Sequence, residues 1–448
     1  MSLYKPYPKY KNSGVEWLGE VPEHWEAKRL KHIADVRLSN VDKHTVEGQK
    51  VVRLCNYLDV YNNRRITSKI DFMSATASDE QIERLSLQKY DVIITKDSED
   101  PSDIGIPALI EEDIFGLVCG YHLAILRPTA AIGDYLSYLL QSTFARSAFE
   151  VEATGMTRYA LGKYAIENLT FALPHQSEQT SIASFLDRET SQIDALISEK
   201  ERLISLLQEY RQALISHAVT KGLDPKVKMK DSGVEWLGEV PNHWSLEKIK
   251  HFTKFMGGGT PSRQKIEYWQ GEIPWVSPKD MKSEQIGASE EFITLAGIEN
   301  SSSCLFEAGK VLMVVRSGIL KHTIPIAINT VSVAVNQDMK VLMFATDKCN
   351  NWFFLRWVQG LNDLLILDWT KQGATVDSIE QEYIANTIIP LPPVSEQLSI
   401  ISFLKQETSR IDALISESRR FIDLLTEYRS SLITETITGK IDIRGYHV

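Results

Sequence analysis

The chain has 448 residues, 43% hydrophobic and 24% charged, with a net charge of −10, the balance of an ordinary globular protein of two to four domains. The acidity argues against a protein that coats nucleic acid through overall charge. No apolar run reaches membrane-spanning length, and Met1 to Pro6 lack the charged-then-apolar pattern of a signal peptide, so a cytoplasmic location is expected.

In chain order, residues 1–26 form an N-terminal segment that contains Ser13-Gly-Val-Glu-Trp-Leu-Gly-Glu-Val-Pro-Glu-His-Trp25. Residues 27–173 read as a mixed α/β insert. Tyr90–Thr95 and Gly120–Leu126 have the composition of buried strands, and Tyr135–Phe149 reads as a helix. Within 174–221 the chain is extended at Pro174, Ser177 is the expected N-cap, and Glu178 falls in the first turn, where the helix dipole favours it. A heptad follows. Its a positions are Leu186, Ile193, Lys200, Leu207 and Leu214, and its d positions are Glu189, Leu196, Leu203, Tyr210 and His217. Gly222 fits a helix C′ position and Pro225 prevents the helix from resuming.

Residues 222–245 then return the first segment as Ser232 to Trp244, with Asn242 in place of Glu23 as the only change. Residues 246–391 form a second insert of similar length and different sequence. Lys310–Val315 and Ile328–Val335 read as strands and Asn351–Leu365 as a helix. Residues 392–440 repeat the long helix, with Pro392, Ser395 and Glu396 at its start. Leu404, Ile411, Ser418, Leu425 and Leu432 occupy a, and Glu407, Leu414, Phe421, Tyr428 and Glu435 occupy d. Leu173–Gly222 and Leu391–Lys440 share 30 of 50 residues. Residues 441–448 are a short tail.

A constant frame therefore carries two variable inserts. Each helix would be roughly 66 Å long at 1.5 Å per residue and is unstable alone with an exposed apolar stripe. The matching heptad phase and matching breaks favour antiparallel pairing of the two copies. The alternative is that each helix packs only on its neighbouring domain. The predicted fold is α+β: two mixed α/β domains joined by two long antiparallel coiled-coil helices, with a pseudo-twofold internal repeat.

Catalytic motifs are missing. There is no P-loop and no Asn/Asp-Pro-Pro-Tyr/Phe run of an amino-methyltransferase. Glu26-Ala-Lys28 has the spacing of a nuclease motif, but the repeat carries Ser245-Leu-Glu247 there. His24-Trp25 and His243-Trp244, beside Pro22 and Pro241, read as packing elements. Cys55, Cys119, Cys304 and Cys349 form no Cys-x-x-Cys pair and read as reduced core thiols. Neither insert is basic as a whole: residues 26–170 hold 17 basic and 21 acidic side chains, and residues 245–390 hold 14 and 16.

The twice-seen Ser-Gly-Val-Glu-Trp-Leu-Gly-Glu-Val-Pro-x-His-Trp resembles one family closely, together with Ser-Glu-Gln, Ile-Asp-Ala-Leu-Ile, Gly258-Gly-Thr-Pro-Ser-Arg263, Ile273-Pro-Trp-Val-Ser-Pro-Lys-Asp280 and Val335-Asn-Gln-Asp338. That family is the specificity subunit of type I DNA restriction–modification enzymes. The resemblance implies that each insert is a target recognition domain reading one half of a bipartite, asymmetric site in double-stranded DNA. It implies that the helices set the spacer and dock two methyltransferase subunits, which use S-adenosylmethionine to methylate adenine. Restriction–translocase subunits using ATP and Mg2+ would join them, and the chain itself would be non-catalytic.

Base and phosphate contacts call for Arg, Lys, Asn, Gln and aromatic groups. The candidates are Arg53, Tyr57, Arg64, Arg65, Lys96 and Arg158 in the first domain. In the second they are Thr260, Arg263, Lys279, Arg316, Lys321, Asn336, Gln337 and Lys371. Asn336 and Gln337 equally suit strand-end capping. The competing readings are a scaffold that binds proteins only, and a cryptic metal-dependent nuclease.

Overall fold

The computed structural model describes residues 4–370 and 377–446. The chain divides into two units, Met1–Lys200 with Arg419–Val448, and Glu201–Ser418.

In the first unit a five-stranded sheet runs in the order Ala34–Leu38, Leu123–Pro128, Val92–Thr95, Pro107–Ile110, Arg65–Ile66. Its neighbours are antiparallel except for the last pair, which is parallel. Val92–Thr95 is buried along its whole length, as expected for a central strand covered on both faces. A three-stranded sheet, Leu117–Cys119, Lys50–Cys55, Met73–Ala77, lies in the same unit. The second unit repeats this plan. Its five-stranded order is Thr253–Gly257, Met339–Phe344, Val311–Val314, Ile326–Asn329, Gln285–Ile286, with the same strand directions. Its three-stranded sheet is Phe292–Ile293, Trp269–Val276, Ala334–Val335.

Several sequence expectations need adjustment. The run Ile328–Val335 is two strands, Ile326–Asn329 and Ala334–Val335, in different sheets. Each expected single helix is two. Gly133–Gln141 and Thr143–Glu152 break at Ser142, whose Oγ donates to Leu139 O and accepts from Ala145 N. Asn351–Gly360 and Asn362–Trp369 break at Leu361. A hydroxyl that offers the backbone local bonds competes with the helical ladder.

The long helices span Gln176–Lys221 and Val394–Ile437. Gly222 and Gly439 follow them with φ of +77° and +73°, the left-handed caps glycine adopts at least cost. Ser177 and Ser395 are not N-caps but lie inside the first turns, because the helices begin one residue before each serine. In the first helix the orphan amides of Glu178 and Gln179 bond the carbonyl of His175.

Glu178 and Glu396 explain the repeated His-Trp pairs. Glu178 accepts from Tyr7 Oη at 2.7 Å and lies 2.8 Å from His24 Nε2. Glu396 lies 2.7 Å from His243 Nε2 and accepts from Trp244 Nε1 at 3.1 Å. Trp25 and Trp244 are fully buried. The pairs are packing elements that tie the repeated segments to helix N-termini, where carboxylates are favoured.

Along the helices the rows differ in burial. Leu186, Ile193, Leu404, Ile411 and Leu432 are buried, and Leu207, Leu214 and Leu425 are half-buried. Leu196, Leu203, Tyr210, Leu414, Phe421 and Tyr428 are all exposed. The second withdrawn row lies four residues after a: Thr190, Ile197 and Ile204, and Thr408, Ile415 and Arg429. Its polar members hide it from a hydrophobicity scan. In the first unit Asp194 accepts from Arg429 Nε at 2.9 Å, and Lys200 lies over the Phe421 ring. In the second unit Arg211 Nε donates to Asp412 at 3.0 Å.

Charged groups fix each domain, from the long helix in the first unit and from within the domain in the second. In the first, Arg65 Nη2 donates to Asp187 at 2.6 Å, Arg64 Nη1 to Asp194 at 2.6 Å, and Tyr138 Oη to Asp187 at 2.7 Å. In the second, Arg356 donates to both carboxylate oxygens of Glu284, at 2.5 and 2.9 Å, and Gln359 adds a third bond. Burial would raise the Glu284 pKa, but Arg356 and Gln359 more than offset it and hold the group below its usual 4.5. A depressed acid contributes stability that is present above the unfolded pKa and lost as pH falls through the folded one. Acid denaturation of the second unit is therefore expected to begin below about pH 4.5, with Glu284→Gln flattening that limb. Denaturation midpoints measured from pH 7 to pH 3 check this, and an unchanged slope in the variant contradicts it.

Candidate nucleic-acid interface

In the first unit the turn after Lys50–Cys55 is fixed by a capping box between Asn56 and Asp59. It starts helix Tyr57–Asn62, on which Tyr57 and Tyr61 stack with centroids 5.7 Å apart. Asp97, two residues beyond the buried strand, gathers three groups. His122 Nδ1 is in close contact with it, Lys96 Nζ lies at 2.8 Å and Arg158 Nε at 3.1 Å. The His122 ring meets Tyr57 edge-on at 6.4 Å. Burial opposes ionisation of Asp97, yet Lys96 and His122 outweigh it and lower its pKa. Burial, with help from Arg158 and Lys96, lowers His122 despite Asp97. The one carboxylate of Asp97 thus faces two cationic side chains and an imidazole.

The structure thus brings Tyr57, Lys96 and Arg158 together. Arg53 lies apart on the strand Lys50–Cys55, exposed. Arg64 and Arg65 are held by Asp194 and Asp187 of the first long helix, because the end strand that carries them faces that helix. Sequence reading missed Asp97, since an acid is no candidate for DNA contact until its cationic partners are known.

In the second unit the loop after Thr253–Gly257 presses on the end of Ala334–Val335. A Cβ on Gly258 would lie 2.1 Å from Val335 O, so only glycine allows this approach. Thr260 Oγ1 donates to Gln337 in a short bond. Asn336 is 6% exposed, and its Oδ1 accepts from Asp338 N at 3.0 Å, the local capping role. Arg263 lies 3.9 Å above the Trp269 ring and 5.2 Å from Trp275, and forms a two-point pair with Glu291, whose second bond is 2.8 Å. Trp269 Nε1 donates to Ser262 O and Trp275 Nε1 to Gly259 O, so both rings are fixed before any ligand arrives. Glu291 raises the Arg263 pKa, and Arg263 lowers that of Glu291 against burial, with Lys279 adding to the effect.

Lys279 stands in a capping-box turn, Ser277 to Asp280, the counterpart of Asn56 to Asp59. The Arg316 backbone meets Asp338 O, and its side chain is exposed. Lys321 is exposed at the end of the turn Gly318–Lys321. Lys371 and the motif Gln372 to Thr375 lie outside the described residues. Trp269 and Glu291 carry no signal in the sequence, and Trp275 stands there only within the motif Ile273-Pro-Trp-Val-Ser-Pro-Lys-Asp280.

The cysteines are all free: Cys55, Cys119 and Cys349 are buried and Cys304 is half-buried. Burial pushes the first three thiols upward, so they are poor nucleophiles. No helix among the described residues is long and apolar enough to cross a membrane.

Two units of one topology, with different polar and aromatic groups on matching loops, define a duplicated α/β protein. The profile described as the type I restriction modification DNA specificity domain matches residues 22–205 and 241–419, and the chain belongs to that family as a specificity subunit of a type I restriction–modification system. It is 30% identical over 275 residues to the type I restriction enzyme EcoR124I/EcoR124II specificity subunit of Escherichia coli, a match covering 60% of this chain and 62% of that relative. It is 23% identical to the MjaVIII specificity subunit of Methanocaldococcus jannaschii, covering 69% and 70%. The HsdS subunit from Thermoanaerobacter tengcongensis has a TM-score of 0.56 at 16% identity, covering 94% of this chain and 98% of that one. A chain from a structure titled for complex assembly and conformational transition of the type I R-M system has 0.69 at 16%, covering 94% and 99%. At these identities the structural likeness shows the fold.

Proposed function

We propose that the domains at 27–173 and 246–391 are target recognition domains, each reading one half of a bipartite, asymmetric DNA site. The observation that carries this reading is the repetition of one strand order in both units, with different groups on the corresponding loops. One fold with two surfaces suits two half-sites of different sequence. In the first domain Tyr57, Lys96 and Arg158 act at the DNA, and in the second Thr260, Gln337, Arg263, Lys279 and Arg316.

The helices 174–221 and 392–440 pair antiparallel as a coiled coil and fix the spacer. Support comes from the pairs Asp194–Arg429 and Asp412–Arg211, which are the same two repeat positions exchanged between helices. A pseudo-twofold frame of this kind suits two copies of one partner. The partners are methyltransferase subunits, which bring S-adenosylmethionine and modify adenine, and restriction–translocase subunits, which use ATP and Mg2+. The chain is a non-catalytic adaptor that works in the cytoplasm. Its acidity is compatible with DNA binding because the partners supply part of the embrace of the duplex.

The test is methylation mapping. This chain, co-expressed with its modification subunit in a methylation-free host, is expected to produce modified adenine in one split motif with a fixed gap. A stable complex that leaves no modified motif overturns the reading in favour of a scaffold that binds proteins only.

A further inference from the structure

Each unit has a polar cavity where its domain meets the long helices, of about 590 Å3 in the first and about 480 Å3 in the second. Their linings correspond at the repeat offset: Thr190, Ser191 and Asp194 in one are Thr408, Ser409 and Asp412 in the other. Arg429 and Arg211 correspond as well. Against that constant background the charge is inverted at two places. On the helix, Asp187 in the first cavity is Lys405 in the second. On the domain, the pair entering the end strand is Arg64-Arg65 in the first and Glu284-Gln285 in the second.

The helix position is in contact with the second arginine, whose own counterpart is the neutral Gln285, while Arg64, whose counterpart is Glu284, is held by Asp194, which the repeat keeps as Asp412. Asp187 Oδ1 accepts both Arg65 Nη2 at 2.6 Å and Tyr138 Oη at 2.7 Å. Glu111 and Asp134 are more distant partners of Arg65, at 3.5 and 3.7 Å. The second domain is built otherwise. Arg356 takes the place of Tyr138 and neutralises Glu284 from within the same domain. The first domain therefore makes the shortest ion pairs of its two arginines with helix carboxylates, whereas the second arrives already paired.

We propose that residue 187 and its counterpart 405 form an electrostatic key that keeps the first recognition domain in its own half of the frame. Asp187 is the positioning residue that seats the first domain, through Arg65 and Tyr138. A lysine at that point brings like charges together in a partly desolvated cavity, where opposed charges cost more than at an open surface. A domain bearing Arg64-Arg65 is refused beside Lys405, while the self-paired second domain is indifferent to the residue opposite. The role of the key in recognition rests on the proposed function, but the key itself is a property of the folded chain.

The experiment is a charge-swap cycle on the full chain. Asp187→Lys, copying the other half, is expected to lower the melting temperature of the first unit by about 5 °C. Arg65→Glu is expected to lower it too, and the double variant to recover at least half of the summed loss. Asp187→Glu should remain near the parent. A double variant no better than the sum of the singles, or an Asp187→Lys variant without any shift, overturns the key. A chimera carrying residues 27–173 in place of 246–391 supplies the second arm: adding Lys405→Asp should raise its melting temperature, and no gain overturns the assignment. Methylation mapping of the same variants then asks whether the modified motif is lost in Asp187→Lys and regained in the double variant. Failure of the unaltered chain to give any motif sinks the DNA reading, while the melting data still decide the key.

Discussion

Trp244→Ala is expected to destabilise the second unit by about 3–5 kcal/mol, the range for deleting a buried tryptophan and leaving its cavity. Trp244 is 1% exposed, belongs to the main core of that unit with Ile215, Val219, Ile400 and Leu404, and donates to Glu396 at 3.1 Å. Its repeat partner makes the comparison sharp. Trp25 is 0% exposed, but its Nε1 has no hydrogen-bond partner among the described residues. Phenylalanine keeps most of the apolar volume and, at both sites alike, removes the N–H and part of the indole ring. Trp244→Phe should therefore cost about 1.5–3 kcal/mol more than Trp25→Phe, the value of a hydrogen bond to a charged acceptor. Urea denaturation of the two variants checks the order. Equal losses would show that the bond to Glu396 contributes nothing beyond packing.

Arg263→Ala is expected to weaken binding of the assembled complex to its DNA site by about 1–3 kcal/mol, roughly 5- to 150-fold, if the guanidinium reads a base edge. Stability should change little, because an exposed ion pair and an exposed cation–π contact are each worth about 1 kcal/mol or less. Trp269 and Trp275 hold the guanidinium in place, and Glu291 occupies its fork. Glu291→Gln weakens that hold and should tighten DNA binding. Titration of the complex on its mapped site at several salt concentrations separates the roles. A uniform loss on all sequences, with a salt slope reduced by about one, identifies a phosphate contact. No loss at all removes Arg263 from the interface.

Much of the architecture was legible in the residues. The repeated Ser-Gly-Val-Glu-Trp-Leu-Gly-Glu-Val-Pro-x-His-Trp and the repeated helix announced a duplicated frame. The buried strand at Val92–Thr95 and its counterpart Val311–Val314 stood out as apolar runs. The glycines at 222 and 439 marked the helix ends. These signals are local or periodic, so they survive in one dimension. The capping boxes Asn56 to Asp59 and Ser277 to Asp280 surfaced only as a faint correspondence, because a capping box is a short pattern that many turns share.

What the sequence determined by itself is the frame, the two inserts, the long helices with one buried row, and the family. What only the tertiary structure decided is the partnership of charges and the second buried row. Thr190, Thr408 and Arg429 look polar in sequence yet are withdrawn from solvent, since burial depends on the facing element and not on the residue alone. Arg64 and Arg65 look like free cations until Asp194 and Asp187, more than 120 residues later, are placed against them. Lys96 and Arg158, 62 positions apart, meet only because Asp97 draws both to one point. Coulomb attraction acts through space and is screened beyond roughly 10 Å in salt solution, so the fold, and not chain order, decides which charges remain available to a ligand.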